Sequence, residues 1–470
     1  MTEARGQDCE ARSRLVSRDP ATGAVESVIA RFDDEALERA LQRGVAAQSE
    51  WSRRPIAERA HALRQVAQAF EDRREELAAL ATREMGKRLV EARAEIDKCV
   101  AALRYYGEHG ESILADRTVP TGARSARIVM QPLGLILLVM PWNFPFWQVV
   151  RQAMVVTLAG NAALLKHASN VPGCGVALES LFAAGLPPDV FQFLPVGADA
   201  VETIIKDERV HGVSLTGSEG AGAAVGRAAG SALKPVVLEL GGSDPFIVLD
   251  DADLDAVVAK AVKARIQNNG ETCIAAKRFL IQRSLYEPFV ERLAAAFAAL
   301  KVGLPLEAET ELGPLARADL VDELLDQIER SVLAGARLVT GGRRLEGHAT
   351  PCFMSPAVLS NVRPGMAVFD EETFGPCAAV TAFDDDDEAA ELANASRYGL
   401  GGSVWSADLA RAEAVARRLE CGSAFVNAIV ASDPRYPFGG VKASGHGREL
   451  GEWGPLAFVN VKSLVVESAG

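Results

Sequence analysis

The residues best able to do chemistry in this chain are a thiol, a carboxylate and a carboxamide, each close to an apolar segment. Cys273 stands in QNNGETCIAAKR, Gln267 to Arg278, after Gly270 and a helix-like stretch and before the apolar run RFLIQ. A thiol where the chain changes direction faces a cleft, and its thiolate is a nucleophile. Glu239 lies in LELGGSDP between Leu238 and Leu240, at the end of an apolar strand. A carboxylate in that setting costs free energy unless it is paired structurally or kept for general-base work, and the residues alone leave both open. Asn143, in MPWNFPFW, follows another apolar run. Its carboxamide can donate two hydrogen bonds to a developing oxyanion, or it can simply form a turn.

Two more segments have the composition of ligand loops. TGSEGAGAAVG, Thr216 to Gly226, follows a strand and opens a helix. Its glycines allow close backbone approach, and the helix N-terminus can face phosphate, although the spacing is not a strict GxGxxG. EETFGP, Glu371 to Pro376, offers an acid for ribose hydroxyls and an aromatic ring to flank a flat one.

These groups need a scaffold, and hydrophobic periodicity supplies its outline. From Asp33 to about Ala115 the chain has helical spacing in ALERALQRGVAAQSEW, HALRQVAQAFEDRREELAALA and EARAEIDKCVAALRYYG. SARIVMQPLGLILLVM then contains one mixed strand, a turn, and a run suited to a strand buried on both faces. Short apolar runs (NAALLK, VFQFLPV, VHGVSLTG, VVLEL) alternate with helical stretches, which predicts βαβ units and a parallel, doubly wound sheet. A second series after Asp250, with strands RFLIQ, ARLVTGG, CAAVTAFD, GGSVWS and SAFVN, predicts a second α/β layer. The acidic run Asp384 to Asp387 with Glu388 is expected to be a solvated turn and helix start.

At 470 residues, two or three domains are expected, since single cores stop growing near 250 to 300 residues. With 49% hydrophobic and 24% charged residues and no apolar run near the roughly 18 a membrane helix needs, the chain is expected to be soluble, with no membrane partner. The polar start MTEARGQDCEARSRLVSRDP argues against export. A net charge of −13 opposes nucleic acid, so an anionic ligand needs local positive groups. Seven scattered cysteines (9, 99, 174, 273, 352, 377, 421), without CxxC or HExxH, fit reduced thiols in a cytoplasmic protein and no metal site.

In order, PWNFP, LLK, TGS with a later glycine, ELGG, the Gly-x-x-Cys segment, EETFGP and PFGGVKASGHGRE make the chain resemble the aldehyde dehydrogenase superfamily from about residue 30 to the C-terminus. Within it, NFPFWQVVRQA, LLKHASN, the AAKRF segment and SDPRYPFGGVK are most similar to the NAD(P)-dependent succinate semialdehyde dehydrogenases. The resemblance implies a Rossmann-like cofactor domain (1–113 and 138–240), a second α/β catalytic domain (241–442) and a small β oligomerisation element (114–137 and 443–470). In that element a hairpin and the C-terminal strand VNVKSLVVE would pair, building a homodimer or homotetramer. It also implies Cys273 as nucleophile, Glu239 as base for hydrolysis, and Asn143 with the Cys273 amide as the oxyanion site. NADP or NAD would lie against Trp142, Lys166, Ser169, Gly217, Ser218, Gly222, Leu240, Glu372 and Phe374. Ser169 departs from the glutamate common in NAD-preferring members, which removes a repulsion of a 2'-phosphate, with Lys166 and His167 nearby. For a small aldehyde substrate carrying a carboxylate, the implied contacts are Arg151, Gln267, Ser432 and Arg435, so that Arg151→Leu would weaken succinate semialdehyde and spare butanal. Gln267 stands where some relatives have a second arginine. Other aldehydes, short or aromatic, a CoA-acylating branch, and a catalytically silent structural homologue are the alternatives.

Overall fold

The computed structural model describes residues 13–468; Cys9 and the outermost residues of the expected ranges 1–113 and 443–470 lie outside them. An unexpected hairpin comes first, β1 (Arg14–Arg18) and β2 (Val25–Ala30). Four helices follow: α1 (Asp34–Trp51), α2 (Ile56–Asp72), α3 (Arg74–Met85) and α4 (Leu89–Ile113). Asp33 starts this helical segment by accepting the Ala36 amide at 2.8 Å, satisfying one of the orphan donors of a helix start. The periodic stretch from His61 is divided between two helices, because Arg73 (φ −107°, ψ 16°) leaves helical geometry between α2 and α3.

After β3 (Arg117–Thr118) and β4 (Ser125–Pro132) the expected alternation begins. It runs β5 (Leu135–Met140), α5 (Trp147–Leu158), β6 (Ala162–His167), α6 (Pro172–Phe182), β7 (Phe191–Phe193), α7 (Val201–Lys206), β8 (Val210–Thr216), α8 (Glu219–Ser231) and β9 (Val236–Glu239). Strands β5 to β9 are parallel in the order β7-β6-β5-β8-β9. Helices cover both faces, which is why LILLVM is apolar throughout. Ile136, Leu138 and Met140 enter the core shared with α2 to α6, and Leu135 and Leu137 enter the core shared with α1, α7 and α8. The strand order reverses between β5 and β8, and open α/β sheets bind ligands outside the carboxyl ends of the strands at such a point.

The second sheet holds β10 (Asp244–Val248), β11 (Ala276–Gln282), β12 (Arg337–Thr340), β13 (Ala357–Ser360), β14 (Cys377–Phe383), β15 (Gly401–Trp405) and β16 (Ser423–Val426). Its order is β12-β13-β14-β11-β10-β15-β16, parallel except at the β12 edge. Between these strands lie α9 (Leu254–Ile266), α10 (Arg283–Ala299), α11 (Ala318–Leu333), α12 (Ala367–Asp370), α13 (Asp386–Asn394) and α14 (Leu409–Ala416). The interior strand β10 is not among the expected elements; only four residues separate it from the end of β9, so two strands of different sheets share one short motif. Asp385 caps α13 by accepting the Asp387 and Glu388 amides, so the acidic run is a helix start, as expected.

Two C-terminal strands complete the fold. β17 (Gly445–His446) pairs antiparallel with β9, so residues 445–446 lie at the edge of the first sheet. β18 (Val459–Val466) pairs antiparallel with β4 over its whole length, within the chain, leaving Val461 and Val465 exposed. Among the described residues no helix is long and apolar enough to cross a membrane.

Candidate active site

Beyond α9 the backbone passes through three successive left-handed residues, Asn268 (φ 55°), Asn269 (φ 58°) and Gly270 (φ 80°), before reaching Cys273. Glycine adopts this conformation at no steric cost, and asparagine tolerates it because its short amide bonds locally. A side chain at Gly270 would meet the Gly375 carbonyl carbon at 2.5 Å. The two asparagine amides lock the turn. Asn269 donates to Gly86 O (3.0 Å) and Pro314 O (2.9 Å) and accepts from Gly313 N (2.8 Å), while Asn268 donates to Asn143 O (2.8 Å) and Glu271 O (3.1 Å). Neither asparagine was expected as a site residue, although NNG is the turn signal. Asn269→Ala should cost about 2–3 kcal/mol in urea unfolding, since buried carbonyl and amide partners lose their bonds, and should lower turnover by displacing Cys273.

Cys273 sits where two cavities meet, one of about 740 Å³ and one of about 180 Å³. The larger is walled by Trp142, Asn143, Gly217, Ser218, Glu372 and Phe374, the smaller by Lys98, Trp147, Arg151, Gln267, Ser432 and Phe438. Burial pushes the Cys273 thiol up to about 12, against the pull of the Lys277 and Arg151 charges and with reinforcement from Glu372 and Glu239. The resting group is therefore a thiol. Lys277, unforeseen as a site residue, is wholly buried; it donates to Cys273 O (2.6 Å) and Thr272 O (3.1 Å) and lies 3.4 Å from Glu372. Asn143 Nδ2 donates to Glu271 O at 3.0 Å, which leaves its second N–H available.

Glu239 ends β9 as expected and is buried, but neither cavity wall includes it. Its carboxyl lies under the Gly439–Gly440 turn beside Glu449 and Arg151, and Oε1 has no hydrogen-bond partner. Burial first, then the neighbouring Glu449, hold it well above the usual carboxylate range; Arg151 and Arg448 act in the other direction. Such a carboxyl is protonated at rest and becomes a stronger base than an ordinary glutamate once it ionises.

The larger cavity occupies the crevice at the β5/β8 switch point. Ser218 caps α8 and accepts from Ala221 N (3.4 Å), and Glu219 in the first turn is offset by Arg397 at 2.9 Å. Trp142 and Phe374 meet edge to face at 5.7 Å, Leu240 lies on the wall, and Glu372 Oε1 accepts from Gly242 N (3.0 Å). Gly222 is not on that wall. A side chain there would collide with Leu240 at 2.5 Å, so this glycine lets α8 pack on the sheet. Lys166 and Ser169 stand at and beyond the end of β6, outside the walls named here, with Ser169 exposed and Lys166 buried. His167 cannot supply a charge for a 2'-phosphate: burial pulls it down to about 4, and its ring bridges the Ala168 amide and Pro145 O.

The expected carboxylate clamp is not assembled as expected. Arg151 lines the smaller cavity, but its guanidinium is ion-paired with the fully buried Glu449, reaches Thr216 Oγ1 (3.3 Å) and covers the Phe438 ring at 4.7 Å. A charge already compensated in the interior has little left for a ligand. Arg435 points to solvent and is engaged with Asp433 at 2.7 and 2.8 Å. Gln267 and Ser432 do line the cavity. Glu449, unforeseen although it ends PFGGVKASGHGRE, also accepts from Gln152.

Comparison with known proteins agrees with this geometry. The sequence profile of the aldehyde dehydrogenase family matches residues 7–464. The succinate semialdehyde dehydrogenase (NAD(P)+) Sad of Escherichia coli strain K12 is 47% identical over 453 residues, 96% of this chain and 98% of that protein. The succinate-semialdehyde dehydrogenase (NADP(+)) 1 of Mycobacterium tuberculosis strain H37Rv is 44% identical over 454 residues, 96% of this chain and 99% of that protein. The crystal structure of succinic semialdehyde dehydrogenase from Streptococcus pyogenes in complex with NADP+ superposes with a TM-score of 0.93 at 36% identity, covering 97% of this chain and all of that one (100%). A thiol at the junction of a switch-point cavity and a second, smaller one is what the structure shows, and the match over nearly the whole chain identifies this protein as a member of the aldehyde dehydrogenase family.

Proposed function

We propose that the protein oxidises a short semialdehyde bearing a carboxylate, succinate semialdehyde before others, to the acid with NADP or NAD. The observation that carries this is Cys273 at the junction of the two cavities, with Asn143 on the wall beside it. In this reading the Cys273 thiol gives its proton to solvent water, the thiolate adds to the aldehyde carbon as the C=O π bond opens, and the oxygen becomes an alkoxide held by the free Asn143 N–H and the Cys273 amide. NAD(P), when bound, would supply the hydride acceptor, and the residues fit it: the α8 N-terminus would hold the pyrophosphate, Glu372 a ribose, and the Trp142–Phe374 corner the flat ring. Expulsion of hydride leaves a Cys273 thioester. Glu239, in its ionised form and swung from beneath the Gly439–Gly440 turn toward the larger cavity, takes the proton of the water that hydrolyses it, freeing the acid and the Cys273 sulfur.

The same reading keeps the three-part division of the chain, supported by its separate six-, seven- and three-stranded sheets. It takes the exposed apolar outer edge of β18 as the strand that meets a second copy in a homodimer or homotetramer. The free thiols at 99, 174, 273, 352, 377 and 421 support a reducing, cytoplasmic setting.

Reduced-cofactor absorbance at 340 nm with a panel of aldehydes and both cofactors tests the reading. Succinate semialdehyde should give the highest kcat/KM, and NADP should be used at least as well as NAD because Ser169 carries no charge to repel a 2'-phosphate. Ser169→Glu should move the NADP/NAD ratio of kcat/KM toward NAD by roughly tenfold, equivalent to ~1.4 kcal/mol. A wild-type enzyme strongly selective for NAD would refute the cofactor part.

A further inference from the structure

The smaller cavity contains several charged side chains, and nearly all are compensated within the protein. Glu91 pairs with Arg88 at 3.0 Å and accepts from Asn268 N, Glu95 pairs with the buried Lys87 and caps the Phe146 and Trp147 amides, and Arg151 pairs with Glu449. Lys98 differs. It projects from α4 into the same cavity, donates to Ser432 Oγ at 2.6 Å and stands 4.5 Å above the Trp147 ring, and among the described residues it has no carboxylate at ion-pair distance. The adjoining Asp433 is held by Arg435 instead.

We propose that Lys98, steadied by Ser432 and Trp147, is the cation that receives the far carboxylate of the substrate and so sets the preference for semialdehydes over neutral aldehydes. This rests on the reading of the substrate as a carboxylate-bearing semialdehyde and assigns its anion to a residue outside the expected clamp. A neutral hydroxyl and an aromatic face orient an ammonium without cancelling its charge, so a carboxylate entering the cavity meets an uncompensated partner on a short tether. Desolvation and the nearby Arg151 lower Lys98 to about 8, the strain that an anionic ligand relieves. Glu95 and Asp433 pull the other way but are occupied by Lys87 and Arg435.

The test is the ratio of kcat/KM for succinate semialdehyde to that for butanal, its uncharged analogue, a quantity independent of how much enzyme is correctly folded. Lys98→Met should lower the ratio about ten- to hundredfold, chiefly through KM for the semialdehyde, the loss expected for one charge-assisted contact. Lys98→Arg should restore much of it because the charge is kept. Lys98→Gln provides a polar replacement and should fall with Lys98→Met. A wild-type preference for the semialdehyde that survives in Lys98→Met and Lys98→Gln overturns the assignment while leaving the substrate reading intact. A wild-type enzyme without such a preference overturns both.

Discussion

Cys273→Ala should abolish aldehyde oxidation, whereas Glu239→Gln should leave the first half of the reaction and slow the second by about 10²- to 10⁴-fold, the usual contribution of a positioned base. The difference follows from the proposed division of labour at the site, in which no acyl group forms without the sulfur and release of the acyl group needs a base. Intact-mass measurement after mixing with aldehyde and cofactor should therefore find a stable acyl adduct on the Glu239 variant and none on the Cys273 variant. Because burial and Glu449 raise the Glu239 carboxyl, the ionised base becomes more abundant as pH rises, and thioester hydrolysis by the wild-type enzyme should accelerate from neutral to mildly alkaline pH. The Glu239→Gln variant should lose that rise. Normal turnover by Glu239→Gln would remove Glu239 from the mechanism, and the unlined position of its carboxyl would then be its permanent one.

Arg151→Leu should destabilise the protein by about 3–5 kcal/mol, because it strands Glu449 without its cation in the interior. Chemical denaturation should detect this as a lowered midpoint. Replacing both partners, Arg151→Met with Glu449→Leu, should recover much of the loss, since a buried pair is costly to break but not costly to replace with apolar groups. Catalytically, Arg151→Leu should affect succinate semialdehyde and butanal alike. Loss on the semialdehyde alone, with stability unchanged, would return Arg151 to the clamp it was expected to form and would count against Lys98.

Much of the architecture follows from local pattern. LILLVM and VHGVSLTG are apolar on both faces because helices cover both sides of a parallel strand, and this periodicity is visible without coordinates. That Cys273 and Asn143 would line a cleft was legible for a related reason: their motifs lie at strand ends and turns, where side chains face a cleft. Strand β10 was not legible, because its partners β11 and β15 lie far along the chain and only long-range pairing separates it from β9.

The charges around the site mark the boundary between the two kinds of knowledge. Sequence alone determined which ionisable groups exist near PWNFP, ELGG and PFGGVKASGHGRE, and that an acidic protein would need a local cation for an anionic substrate. It could not say which cation remains available, since that depends on partners brought from elsewhere: Glu449 to Arg151 across 298 positions, Ser432 to Lys98 across 334, Arg435 turned outward by Asp433. Coulombic compensation depends on separation in space and on burial, neither of which spacing along the chain encodes. Only the tertiary structure therefore decided that the arginine of the motif is ion-paired with Glu449 and that a lysine from α4, outside every motif, faces the smaller cavity without such a partner.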